Sequence, residues 1–203
     1  MTRYLSTCVA GFAKAVQTFL LQDIPDVHIV FSDDGCVVYE TNMPENVANL
    51  SYMNNTFVVL DTGNSAEMIA EQFVARTGKL PLPVDFKAFK IFVSVDGQLT
   101  ALPRSLMTRL VDVLKKQPHR PYRVRGADGE FWVMQRQNGQ AFFLFRLTTL
   151  KKKPARGELR PEIAYTLCRL SCPKPEDVFL DPFCGSGTLA LTRSRLTGYR
   201  GIF

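Results

Sequence analysis

The chain is 203 residues long, 46% hydrophobic and 22% charged, with a formal net charge of +6. That length suits one large or two small domains, and the composition is that of an ordinary globular protein rather than a disordered or fibrous one. The longest apolar runs fall far short of a membrane span and the N-terminus lacks a signal-peptide pattern, which together predict a cytoplasmic protein.

The predicted elements begin with a strand over residues 3–9 and a helix over 11–22, with Phe12, Ala15, Val16, Phe19 and Leu20 on one side. Pro25 punctuates. A strand over 27–31, a turn at Asp33-Asp34-Gly35 and a returning strand over 36–40 read as a hairpin. Pro44-Glu45 stands at a helix start, with Val47, Leu50 and Tyr52 following, and residues 56–60 form another strand. The order β-α-β-β-α-β is that of a ferredoxin-like unit.

Asn64 or Ser65 caps a helix over 66–76 that Gly78 ends, and Leu80-Pro81-Leu82-Pro83 is an extended connection. Residues 86–95 read as a strand closed by Asp96-Gly97. A helix from Ser105 to Lys116 turns Leu106, Leu110, Val113 and Leu114 inward, and leaves Arg104, Arg109, Lys115 and Lys116 outside. Pro118 stops it. Residues 122–125 form a short basic strand, and strands over 131–135 and 141–147 join across Asn138-Gly139. Residues 151–156 read as a linker, and a helix over 158–170 carries Pro161 within its first turn.

Charge is unevenly spread. Residues 1–60 hold 2 basic and 6 acidic side chains, residues 61–150 hold 13 and 8, and residues 151–203 hold 10 and 5. Within 104–160 the imbalance is 14 against 4, a footprint that favours a polyanionic partner. The nucleic-acid candidates are Arg104, Arg109, Lys115, Lys116, Arg120, Arg123, Arg125 and Lys151, Lys152 and Lys153, with Tyr122 and Trp132 as aromatic platforms. Any single one of these also reads as a solvated charge, and Trp132 as core; the cluster carries the reading. Such contacts position a nucleic acid without reading its sequence. The five cysteines (Cys8, Cys36, Cys168, Cys172, Cys184) include no C-x-x-C pair, and with two histidines in the chain they read as reduced thiols without a metal.

The most informative stretch is residues 178–191, VFLDPFCGSGTLAL. Val178, Phe179 and Leu180 read as a buried strand of a parallel sheet. Pro182 cannot continue a ladder. Cys184-Gly185-Ser186-Gly187-Thr188 is a small-residue turn, and a helix follows. Gly185, Gly187 and Ala190 fit G-x-G-x-x-G/A, which lets backbone approach a nucleotide-type ligand. Read alone, those glycines also suit a plain turn in any α/β protein.

The string Asp181-Pro182-Phe183-Cys184-Gly185-Ser186-Gly187-Thr188 resembles the S-adenosylmethionine loop of Rossmann-like RNA methyltransferases, in particular those carrying a THUMP domain. Upstream, Gly157-Glu158-Leu159-Arg160-Pro161-Glu162-Ile163-Ala164 resembles the segment that opens that family's catalytic domain and lies over the cofactor. The resemblance implies S-adenosyl-L-methionine as cofactor. It implies cofactor-binding roles for Glu158, Leu159, Arg160 and Pro161, and for Asp181, Pro182, Phe183, Cys184, Gly185, Ser186, Gly187 and Thr188. Asp181 is implied at the cofactor's amino-acid end; its plainer role is capping the turn before the helix. Glu158 to Pro161 likewise suit a helix start, and Cys184 is implied as a small loop residue rather than a nucleophile.

The fold class this suggests is an α+β N-terminal region followed by the start of an α/β Rossmann-like methyltransferase domain. Its divisions are a ferredoxin-like unit over 1–60, a THUMP-like RNA-binding module over 61–150, a linker over 151–156 and an incomplete Rossmann-like domain over 157–203. The resemblance also implies RNA as partner (tRNA first, rRNA second) and a guanosine exocyclic nitrogen as acceptor. The family's catalytic string, Asn or Asp followed by Pro-Pro and an aromatic, has no counterpart here, because the sequence contains no Pro-Pro dipeptide. An acidic ribose ligand about 20 residues past the glycine turn falls beyond Phe203. The expectation is therefore a truncated methyltransferase with no catalytic residue in this chain, inactive alone and completed by the missing C-terminal half or a partner. The alternatives are a non-catalytic RNA-binding module and a nicotinamide-dinucleotide protein using the same glycines.

Overall fold

The computed structural model describes residues 1–76, 80, 82, 84–116, 120–148, 154 and 157–197, and the backbone of 200–202. The expected lysine cluster 151–153, most of the expected linker, and Gly78 lie outside the described residues. No described helix is long and apolar enough to cross a membrane. The chain divides into two compact units, one of residues 1–56 with 148–203 and one of residues 57–147.

In the first unit, β1 (Thr2–Thr7) pairs antiparallel with β3 (Cys36–Thr41), which pairs antiparallel with β2 (His28–Asp33). The β2–β3 hairpin turns where the sequence places it, because Gly35 adopts φ +102° and Asp34 Oδ1 accepts the Gly11 N–H. α1 (Ala13–Asp23) buries Val16, Phe19 and Leu20. Ser6 hydrogen-bonds both the Tyr39 hydroxyl (3.0 Å) and Thr56 Oγ1 (2.9 Å), which satisfies three buried hydroxyls at once.

The expected second helix shrinks to one 3₁₀ turn, Pro44–Asn46, followed by turns to Tyr52. The asparagines and serine of this stretch offer the backbone local alternatives to helix. The C-terminal part adds α4 (Pro161–Leu170), β9 (Val178–Leu180), α5 (Thr188–Leu196) and β10 (Arg200–Ile202), which lies parallel to β9. Arg169 ties α4 to α1. Its guanidinium makes a two-pronged pair with Asp23 (2.6 and 2.7 Å) and stacks over the Phe19 ring at 4.3 Å.

The second unit is a sheet in the order β4 (Asn55–Gly63), β8 (Ala141–Arg146), β7 (Gly129–Gln135), β5 (Phe89–Val95) and β6 (Gln98–Thr100). β5 and β7 run parallel, joined by the crossover that contains α3 (Arg104–Lys116); the other pairs are antiparallel. α2 (Ala66–Ala75) starts at Ser65, whose side chain accepts the Met68 N–H, as its capping position predicts. The short edge strand β6 has no alternating signal in the sequence. The expected strand at 122–125 reduces to a single bridge between Tyr122 and Phe89. On α3, Val111 rather than Val113 completes the buried stripe with Leu106, Leu110 and Leu114.

The core is aromatic. Phe131 packs on Phe143 and Phe145, and Phe86 packs on Phe131 and Phe145. A Cβ built on Gly129 would stand 2.7 Å from the Phe86 ring. Gly129→Ala is therefore expected to destabilise the second unit by about 1–3 kcal/mol through overpacking, measured by urea denaturation. Glu130, 5% exposed, accepts from Arg146 (2.8 Å) and Trp132 Nε1 (3.3 Å) and pairs with Lys90 (2.9 Å). Burial alone would raise its pKa; the bonds from Arg146 and Lys90 outweigh that and hold it below the usual glutamate value.

Candidate functional site

β9 ends at Leu180, and the chain turns at once. The Phe183 N–H bonds Asp181 Oδ1 at 3.3 Å, and the Gly187 N–H bonds the Cys184 carbonyl at 2.7 Å, so the loop closes on itself twice. Asp181 thus performs the turn-capping role that competes with a ligand role. Gly185 (φ +51°) and Gly187 (φ +71°) both sit in the left-handed region, which L side chains rarely adopt. Gly187 then serves as the N-cap of α5, with helical turns beginning where the Leu191 N–H meets its carbonyl at 2.9 Å. Strand, left-handed glycine turn and helix N-terminus follow in the order the sequence predicts.

Above the loop lies a hollow of about 390 Å³ lined by Cys184, Gly185, Ser186, Gly187, Ala190, Leu191 and Ser194. A Cβ built on Gly187 meets no described atom within 4 Å. Backbone is therefore open to a ligand at the position where the glycine pattern needs it to be. Ser186 and Thr188 hydroxyls share a 2.7 Å hydrogen bond at the rim.

Of the twelve residues expected to bind cofactor, the structure brings Cys184 to Gly187 together around this hollow. Phe183 is 92% exposed. Arg160 is engaged elsewhere: it pairs with Glu162 at 2.6 Å and donates to Asn54 Oδ1 at 3.1 Å. Pro161 opens α4 and lines a second cavity of the same unit.

β9 departs from the buried strand expected. Val178 and Leu180 are 65% and 63% exposed, while Phe179 between them is half-buried. Alternate side chains of a strand face opposite ways. Among the described residues β9 pairs only with β10, and no described residue closes the Val178–Leu180 face enough to bury it.

Sequence reasoning missed what holds the loop from behind. Arg193, 2% exposed, reaches from α5 to Asp177 Oδ2 at 2.5 Å and to the Lys174 carbonyl at 3.3 Å, fixing the turn that feeds β9. Its sequence context, Thr-Arg-Ser-Arg-Leu, reads as a solvated helix face. Cys168 is buried and donates to the Leu189 carbonyl, and burial pushes its thiol up, away from a reactive thiolate.

The expected nucleic-acid residues that the structure describes lie in the second unit. Arg109 pairs with Glu71 (2.7 Å), Arg120 with Asp85 (2.9 Å) and Lys115 with Asp112 (3.9 Å). Arg104, Lys116, Arg123 and Arg125 are exposed and have no ion pair among the described residues. Tyr122 packs edge-on against Phe89 at 5.7 Å. Trp132 is spoken for: it stacks on Phe92 at 4.6 Å and meets Phe57 edge-on at 5.8 Å.

Residues 149–199 match the model of a family described as RMKL-like, methyltransferase domain. No curated protein matches the chain. Among solved structures, the fold is similar to TrmN from Thermus thermophilus (TM-score 0.72, 18% identity, covering 99% of this chain and 65% of that one). It is also similar to a predicted N6-adenine-specific DNA methylase from Listeria monocytogenes (TM-score 0.68, 18% identity, 96% and 55%). A third is SMU.472 complexed with SAH (TM-score 0.65, 20% identity, 96% and 55%). The chain thus spans less than two thirds of the length of these structures. The match over 149–199 falls on the segment that builds the glycine loop.

Proposed function

We propose that this chain is the N-terminal portion of an RNA methyltransferase that uses S-adenosyl-L-methionine. The observation that carries the reading is the loop 181–188. It folds as strand, left-handed glycine turn and helix start around an open hollow, inside a segment matching a methyltransferase family. The residues present fit the cofactor. Gly187 leaves its backbone uncovered by any described atom, a Cβ at Gly185 would touch the Phe183 carbonyl at 3.7 Å, and the first-turn amides of α5 face the same end. When bound there, S-adenosylmethionine supplies an electrophilic methyl on a sulfonium. This chain's part is to hold that donor by backbone contact and to bring a polyanion alongside.

In this reading residues 61–150 act as a THUMP-like module. Arg104, Lys116, Arg123 and Arg125 are cations of it without an ion pair among the described residues, and Arg109, Lys115 and Arg120 exchange weak surface pairs for phosphate. The substrate is tRNA, with rRNA second, and the acceptor a guanosine exocyclic nitrogen. Aligning so weak a nucleophile with the methyl is a positioning task. The Pro-Pro string that performs it in the resembled family is absent from these residues, so methyl transfer requires a further segment. Proposed for that segment is the uncovered Val178–Leu180 face of β9. That same exposure favours a second reading, a non-catalytic RNA-binding module completed by a partner.

Titration with S-adenosylhomocysteine, NAD, tRNA and duplex DNA at two salt concentrations tests the proposal. S-adenosylhomocysteine and tRNA are expected to bind, and NAD is not; NAD binding, or preference for DNA, overturns it. RNA binding without S-adenosylhomocysteine binding selects the module. The double variant Arg123→Ala, Arg125→Ala is expected to reduce the slope of log K against log salt by about 1.5, as loss of two phosphate contacts requires.

A further inference from the structure

A second cavity of the first unit, about 400 Å³, lies apart from the glycine-loop hollow, with Pro161 as the one residue of its lining that the resemblance assigns to the cofactor. Its volume falls within the range of about 300–1,000 Å³ typical of small-molecule sites. One wall is an aromatic stack built in depth. Phe19 meets Tyr52 edge-on (5.4 Å, 67°), Tyr52 packs on Tyr165 (6.0 Å, 35°), and Tyr165 lines the cavity. Tyr52 is 2% exposed, so the outermost ring is backed by fixed neighbours and offers a ready platform for a planar group.

Arg195 lines the cavity from the last turn of α5, where the helix dipole favours a cation. It is exposed and makes no ion pair among the described residues. Asn49, Ser51 and Thr192 add polar side chains with no partner among the described residues, and the described lining contains no carboxylate. A ring, a planar guanidinium and three neutral hydrogen-bonding groups match a base, a phosphate and a ribose.

We propose that this cavity binds a nucleoside monophosphate unit, its base against Tyr165 and its phosphate on Arg195. The unit is a free nucleotide or one nucleotide of an RNA strand. Two sites then share α5 on different faces: Ala190, Leu191 and Ser194 face the glycine-loop hollow, and Thr192 and Arg195 face this one. Only the RNA source rests on the RNA reading above; the site itself does not.

The test is calorimetric titration of the chain with guanosine 5′-monophosphate, guanosine and inorganic phosphate, each with and without saturating S-adenosylhomocysteine. The monophosphate is expected to bind saturably, at least about tenfold more tightly than either fragment, and equally well with S-adenosylhomocysteine present. Arg195→Gln, an exposed change, is expected to weaken it about tenfold or more, and Tyr165→Leu to weaken both the nucleotide and the nucleoside. No saturable nucleotide binding, indifference to Arg195→Gln, or displacement by S-adenosylhomocysteine overturns the proposal. A 5′-phosphorylated RNA oligonucleotide that binds more tightly than the monophosphate, and loses that advantage in Arg195→Gln, identifies RNA as the source; equal affinity identifies the free nucleotide. S-adenosylhomocysteine binding in the same samples reports separately on the methyltransferase reading.

Discussion

Arg193→Met is expected to destabilise the first unit by about 2–3 kcal/mol, read from the urea midpoint at constant m-value. Methionine keeps most of the side chain's apolar length, so the loss reports on the charged head rather than on a cavity. That head is buried, and it holds Asp177, whose other bond closes the Lys174–Asp177 turn from the Lys174 N–H at 2.9 Å. Breaking a buried ion pair costs about 3–5 kcal/mol. The figure is discounted here because the Asp177 side chain is 38% exposed and regains water when freed. The reverse change, Asp177→Ala, leaves a guanidinium buried without its carboxylate and is expected to cost at least as much. If both variants melt within about 0.5 kcal/mol of the parent, Arg193 is a passenger and the turn before β9 is held by something else.

What the sequence made legible was local. The turns at Asp34-Gly35 and Asn138-Gly139 appear where they were expected, since Gly35 and Gly139 supply the positive φ that such turns need. Ser65 announces α2 because a cap is a bond between residues three apart. The glycine loop is legible for the same reason: its geometry is set by two residues, Gly185 and Gly187. The rest depended on partners distant in sequence. Nothing around Arg193 says that residue 177 will be waiting, nor around Arg160 that Asn54 will engage it. The Pro44 stretch has a helix-start residue and apolar spacing, yet three asparagines among residues 42–49 favour turns over helix. Trp132 reads as core before base platform, and the ring that settles it, Phe92, is found only across the parallel β5–β7 pair. The exposure of Val178 and Leu180 is the instructive miss, because a continuous apolar run predicts burial only where covering elements are present.

Gly187→Ala is expected to lower affinity for S-adenosylhomocysteine at least tenfold, about 1.4 kcal/mol, while the chain still folds. Two effects combine. At φ +71° and ψ +14° any Cβ carries left-handed strain of about 1–2 kcal/mol. The methyl also points into space that no described residue occupies, above backbone that a ligand must approach. Strain alone would lower stability and leave the affinity of the folded fraction intact; obstruction lowers affinity whatever the stability. Gly187→Asn separates them, because asparagine tolerates this backbone region better than alanine while adding more bulk. Near-parental melting with still weaker binding in Gly187→Asn establishes close backbone approach as the purpose of this glycine. Parental affinity in both variants shows that the ligand never comes near residue 187, and with that result the loop would lose its assignment as the seat of the methyl donor.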